Sequence, residues 1–235
     1  MKAMVLAAGL GTRLKPLTDT CPKALVEISG QSLLQITLLR LRKHGIQDVI
    51  VNVHHFAEMI VDYLKANNNF GMRITVSRED VLLDTGGGLK KAGWFFLQDK
   101  SDEPFVLHNV DVISTIDLRQ MAGFHTNNRA VATLAVKDRN TSRYLIFNND
   151  LQLCGRQAMR DPMKLSLGFS GIHIISPRLL PMLKENGAFS IIDSYLNLAA
   201  GGERILAFRA DDSYWRDLGK PNDLRQAAED LKTIG

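Results

Sequence analysis

MVLAAGLGTRLKPLTDTCPKALV, Met4 to Val26, passes from an unbroken apolar run into two glycines, an arginine and two prolines, and then reaches Lys23. The run Ala3 to Ala8 reads as a buried strand. The loop that follows, Gly9-Leu10-Gly11-Thr12-Arg13, offers consecutive backbone N–H groups where glycine lets a ligand approach closely, with Arg13 as a cation. Together these suit a polyphosphate. The glycines alone also fit a plain turn after a strand; two cations, Arg13 and Lys23, around two rigid prolines are more than a turn requires. The dinucleotide fingerprint G-x-G-x-x-G fails because Leu14 stands where its third glycine belongs, and neither this loop nor TGGGLKK supplies a Walker loop.

Working outward, strand-like and helical periods alternate. QSLLQITLLRLRKHG reads as a helix stopped by Gly45, DVIVNV as a strand, AEMIVDYLKANN as a helix and RITVS as a strand. After a Gly-rich turn, GLKKAGWFFL reads as a helix and PFVLH as a strand ending at Asn109-Val110-Asp111. Alternation of this kind predicts a Rossmann-like, mostly parallel α/β sheet with helices on both faces, and ligands beyond the carboxyl ends of its strands. The loops Gly9 to Lys23, Asp84 to Gly88 and Asn109 to Asp111 all follow strands and fall on that edge. Past about residue 128 the texture becomes short strands, AVATLAVKD, RYLIFN, LQLCGR and LSLGFSGIHIIS, which predict a smaller, partly antiparallel lobe. AFSIIDSYLNLAAGG is helical, RILAFRA a strand, SYWRDLG a short strand into a turn, and Pro221 opens a closing helix. With no linker or repeat, 1–235 reads as one domain with parts 1–128 and 129–235.

The chain has 235 residues, 45% hydrophobic and 23% charged, and 29 basic against 25 acidic side chains give +4 with no basic run. That disfavours nucleic acid as a partner and suits a mildly basic site for phosphorylated ligands. Cys21 and Cys154 have no metal-ligand or disulfide spacing, and the apolar Ala3 to Ala8 run is too short for a membrane span or signal peptide. A cytoplasmic location without membrane association is expected.

Three further loops carry chemistry. Asp111, after a buried strand, is placed to hold Mg²⁺ on substrate phosphates, although an aspartate there also serves to start a turn. Asp217 in WRDLGKP has the same two readings, and both carboxylates could share one metal if their strands end on one edge. Gly86, Gly87 and Gly88, in LLDTGGGLKK, leave space for a flat ligand to lie against backbone.

LAAGLGTRLKPLTDTCPKALVEISG resembles the signature of the sugar-1-phosphate nucleotidyltransferases, and DTGGG, HNVD, GFSGIHIIS and YWRDLGKP follow in that family's order. The compact length and the SRYLIF to LCGR region look most like the bacterial branch of N-acetylmuramate-1-phosphate uridylyltransferases and mannose- or heptose-1-phosphate guanylyltransferases. The resemblance implies Mg²⁺-dependent attack by a sugar-1-phosphate on the α-phosphorus of UTP or GTP. It implies that Leu6, Ala7, Ala8, Gly9, Gly11, Thr12, Gly86, Gly87, Gly88 and Asn109 bind the nucleotide, and that Gly171 and Asp193 bind the sugar. Arg13 would steady pyrophosphate, Lys23 would neutralise the α-phosphate, and Asp111 and Asp217 would hold the metal. Two departures stand out. Pro22-Lys23-Ala24 replaces P-K-P, and the family's E-K-P, whose lysine holds the sugar phosphate, is missing; Arg156 or Arg143 is the candidate replacement. A non-catalytic nucleotide-sugar-binding relative is a rival reading, and a dehydrogenase is disfavoured by Leu14.

Overall fold

A computed structural model describes residues 1–234. The apolar run forms β1 (Ala3–Leu6), and a small hairpin, β2 (Glu27–Ile28) and β3 (Gln31–Ser32), closes the long loop after it. Ser32 Oγ accepts from Gln35 N at 3.0 Å, capping α1 (Leu33–Lys43), whose buried Leu34, Leu38 and Leu41 fall on one face at helical spacing. The chain continues through β4 (Asp48–Val53), α2 (Ala57–Ala66), β5 (Arg73–Arg78), α3 (Asp84–Ala92), α4 (Trp94–Leu97) and β6 (Phe105–Asn109). Strands β1, β4, β5 and β6 pair in parallel in the order β6-β1-β4-β5, so their carboxyl ends share one edge.

The second half is β7 (Val112–Ser114), α5 (Leu118–Asn127), β8 (Ala132–Lys137), β9 (Tyr144–Phe147), β10 (Leu153–Gln157), β11 (Leu165–Ile175), α6 (Ile191–Ala200), β12 (Ile205–Arg209), β13 (Trp215–Asp217) and α7 (Pro221–Ile234). The long β11 runs antiparallel to β6, β8 and β9 and so carries the antiparallel strands onto the parallel sheet. The expected α/β architecture is therefore present, with the antiparallel lobe continuing one nine-stranded sheet. Two details differ from expectation. The Gly-rich turn before GLKKAGWFFL is itself helical, since α3 begins at Asp84. Asp217 ends a strand rather than lying in a turn, because β13 pairs antiparallel with β7, too short a strand to show a period in sequence. Among the described residues no helix is long and apolar enough to cross a membrane.

Two apolar clusters, one on each side of the sheet, bury alternate residues of the same strands: Val5, Val49 and Val51 in one, Met4 and Ile50 in the other. Three histidines are embedded here. Burial, with Arg40 beside it, depresses His108 to about 3; burial depresses His173 to about 3; and burial, with Arg178 nearby, depresses His125 to about 4. The unfolded chain takes up these protons near pH 6.5 and the folded chain does not, so their stabilisation is complete above pH 6.5 and is lost as pH falls below it. At pH 5 each should cost about 2 kcal/mol. Thermal melts at pH 7.5 and 5.0 should show a marked fall in Tm, and equal values would show that the three imidazoles are protonated in the folded chain.

Candidate active site

The shared carboxyl edge opens into a cleft of about 480 Å³. One wall is the loop after β1: Leu6, Ala7, Ala8, Gly9, Leu10, Gly11, Thr12 and Arg13 all line it. Its shape is set locally. Gly11 has φ +66°, and Thr18 Oγ1 donates to Gly11 O at 2.8 Å, folding the proline-containing segment back under the glycines. A Cβ on Gly11 would lie 2.8 Å from Thr18 Cγ2 and 3.1 Å from Lys23 Cβ, so glycine is what lets the two ends of the loop close on each other.

Lys23, 9% exposed, points back into the cleft and its Nζ forms an ion pair with Asp111 Oδ2. Asp111 follows β6 and β1 runs beside it, so the lysine and the carboxylate meet where two parallel strands end. Asp217 is brought alongside by the short ladder: it pairs with Val112, and Leu218 N donates to Asp111 O at 2.8 Å. Among the described residues its Oδ1 is buried without a partner. Burial and the Asp111 charge push the Asp217 carboxyl up from the ordinary carboxylate range, against the opposing pull of Lys23 and Arg13. The guanidinium of Arg13 lies against Gly219, where a Cβ would come within 2.7 Å of Nη2, so the absence of a side chain there gives the arginine its place.

The opposite wall comes from β4, β5 and the start of α3. Asn52 Oδ1 accepts from Ala7 N at 2.7 Å, Asn52 Nδ2 donates to Glu79 Oε1 at 2.7 Å, and Glu79 Oε2 accepts from Leu83 N at 3.0 Å. This buried relay ties the loop after β1 to the entrance of α3 and holds Asp84 and Thr85 at the cleft. Asn52, Glu79, Thr85 and Gly219 escaped the sequence reading. A polar residue interrupting an apolar strand, as Asn52 does in DVIVNV, was the available signal.

The three glycines do not lie open to a ligand as expected. They are buried inside α3: a Cβ on Gly86 would overlap the Phe189 ring, one on Gly87 would overlap Gly187 O, and one on Gly88 would lie 2.7 Å from Glu79 Oε1 and 2.9 Å from Asn52 Nδ2. Their smallness admits protein, and the cleft is faced by Thr85 and Asp84 instead. Asn109 lines the cleft. Gly171, at φ +74° in β11, is packed on Val112 and Asn109, where a Cβ would meet Val112 Cγ2 at 2.7 Å. Asp193 lies in the first turn of α6 and is paired with Arg156 at 2.7 Å, both about half exposed. Neither Gly171 nor Asp193 lines the cleft.

A family model for the nucleotidyl transferases matches residues 2–153. This chain belongs to that family. Over 93% of its length it is 34% identical to the N-acetylmuramate alpha-1-phosphate uridylyltransferase of Caulobacter vibrioides, spanning 92% of that protein. Over 97% of its length it is 30% identical to the UTP–glucose-1-phosphate uridylyltransferase of Synechocystis sp., of which it spans only 62%. Its fold matches the crystal structure of HddC from Yersinia pseudotuberculosis complexed with GMP-PN, with a TM-score of 0.77, 23% identity and coverage of 98% and 99% of the two chains. The named sequence relatives are sugar-1-phosphate nucleotidyltransferases, as the order of motifs implied.

The donor set fits a hard divalent cation. Asp111 and Asp217 converge, one oxygen of Asp217 has no partner, and the Lys23 ammonium already sits on Asp111 where positive charge is wanted. No group of three or more potential ligands exists among the described residues, so two carboxylates would leave the remaining positions to phosphate oxygens and water, the usual arrangement for Mg²⁺.

Proposed function

We propose that this protein transfers a uridylyl group from UTP to N-acetylmuramate 1-phosphate, releasing pyrophosphate. The observation that carries the transfer chemistry is the convergence of Arg13, Lys23, Asp111 and Asp217 at one strand edge. The choice of base and sugar rests on the Caulobacter relative, of whose own length this chain spans 92%.

The nucleophile is already a phosphate oxygen anion and needs no general base, so the work of the protein is to bring two anions together and to stabilise charge. In this reading the amides of Gly9 to Thr12 hold the triphosphate and Arg13 holds the β- and γ-phosphates as they depart. Lys23 meets the charge that builds on the α-phosphate. Thr85 and the backbone near Asp84 face the base. Asp111 and Asp217 hold Mg²⁺, which when bound supplies Lewis-acid stabilisation of the phosphoryl oxygens.

The test is pyrophosphate release with Mg²⁺, each common nucleoside triphosphate and a panel of sugar-1-phosphates. UTP with N-acetylmuramate 1-phosphate should give the highest kcat/KM. Preference for GTP with mannose 1-phosphate or heptose 1-phosphate would transfer the protein to the guanylyltransferases. No turnover with any pair, together with a Tm raised by a nucleotide sugar, would make it a binding relative.

A further inference from the structure

Among the described residues, four buried side-chain polar atoms have no hydrogen-bond partner: Ser114 Oγ, Arg139 Nε, Ser170 Oγ and Asp217 Oδ1. Folded proteins pair roughly nine in ten such atoms, so four at one place require a reason. Trp215 connects all of them. Ser114 is its partner across the β7–β13 ladder, and Asp217 follows two residues later on the same face of the strand. Trp215 Nε1 donates to Ser170 O at 2.7 Å, and the Arg139 guanidinium carbon lies 4.2 Å from the centre of the Trp215 ring.

Arg139 is held in this position by its own hydrogen bonds. Its Nη2 donates to Phe169 O at 2.7 Å, while Nη1 reaches only Asn140 O at 3.5 Å. Gly168 makes room for it, since a Cβ there would lie 2.8 Å from Nε. A guanidinium carries five N–H donors, and only one of these makes a short bond. The Asp217 charge acts on this guanidinium, opposing the effect of burial.

The placement relative to Asp217 decides what Arg139 serves. Trp215, Asp217 and Gly219 follow one another at intervals of two residues; Arg13 packs on Gly219 and Arg139 on Trp215. The two arginines therefore flank the carboxylate from opposite ends. In phosphoryl-group chemistry the entering and leaving oxygens lie roughly in line on opposite sides of the phosphorus. An arginine on the pyrophosphate side thus calls for a second cation on the entering side. Arg156, the sequence candidate for that role, is occupied by Asp193, and Arg143 is exposed.

We propose that Arg139 binds the phosphate of the incoming sugar-1-phosphate through Nη1, the end of its half-buried guanidinium that makes no short hydrogen bond. This rests on the nucleotidyl-transfer reading above. A guanidinium–phosphate hydrogen bond is charge-assisted and among the stronger polar contacts, so its loss should show mainly in the affinity for that one substrate.

The experiment compares wild type, Arg139→Gln and Arg139→Lys in the pyrophosphate assay with the sugar-1-phosphate that wild type turns over best, varying each substrate in turn. Arg139→Gln should raise KM for the sugar-1-phosphate by about tenfold or more, with KM for the triphosphate within about threefold, and Arg139→Lys should recover part of the loss. Partial unfolding would lower kcat without selecting one KM. A second readout uses Trp94→Phe, which leaves Trp215 as the sole tryptophan: titration with the same sugar-1-phosphate should change its fluorescence in the parent and require about tenfold more ligand with Arg139→Gln added. Equal shifts in both KM values, or an unchanged sugar-1-phosphate KM, would overturn the role of Arg139 while leaving nucleotidyl transfer intact. Absence of wild-type turnover with every pair would overturn the nucleotidyl-transfer reading, and the Arg139 assignment with it.

Discussion

Asp217→Asn should lower Mg²⁺-dependent turnover by roughly 10²- to 10³-fold, because a metal held between two carboxylates contributes several kcal/mol of charge stabilisation in the transition state. The same substitution should leave Tm unchanged or raise it. The Asp217 carboxyl is destabilised as an anion: it is half-buried, one oxygen is unpartnered, and Asp111 stands beside it. Asparagine keeps the shape and removes that charge. Loss of activity with retained or increased stability would separate a functional carboxylate from a structural one, since a residue maintained for the fold would lose both together. Near-normal turnover in Asp217→Asn would remove it from the metal site. Asp111→Asn supplies the contrast. Asp111 is the ion-pair partner of a buried lysine, so its loss strands the Lys23 charge and should lower Tm as well as turnover.

The parallel sheet was legible in the sequence because its strands are buried on both faces and read as short, continuous apolar runs such as MVLAA and DVIVNV. The loop that lines the cleft was legible for a related reason: glycines, prolines and cations crowded after such a run have little to do with packing. What stayed hidden depends on contacts between distant segments. The glycines of α3 look like a ligand platform in isolation, yet Phe189, Gly187 and the Asn52–Glu79 pair occupy the space beside them, and nothing local to TGGG announces those neighbours. Arg139 lies in a polar turn between two strands and resembles any surface arginine until β11 and Trp215 enclose it. Arg156 and Arg143 attracted attention by lying near the place of the missing motif, whereas Arg139, proposed above for that role, enters from an earlier turn.

Lys23→Ala should produce two effects of opposite sign. The ammonium is buried on Asp111 with Asp217 close by, so it is the positive charge in direct contact with the carboxylate pair, Arg13 being the other cation that acts on Asp217. Its removal leaves two carboxylates facing each other, which favours any small cation that can enter. Mn²⁺ alone, titrated without nucleotide, should therefore bind Lys23→Ala more tightly than wild type. Turnover should nevertheless fall by about 10²- to 10³-fold, the scale found when a fixed donor to developing charge is removed. The reason lies in position: Lys23 reaches the pocket from the far end of the loop that begins at Gly9, and a cation fixed there needs no reorganisation as charge accumulates on the α-phosphate. A free metal drawn to Asp111 has no such constraint. Lys23→Arg should restore little, because the ammonium is a compact point charge at a buried position and the guanidinium is a wider planar fork. The loss should appear in kcat; a raised KM for the triphosphate with unchanged kcat would make Lys23 a binding residue whose interaction is the same in the ground and transition states.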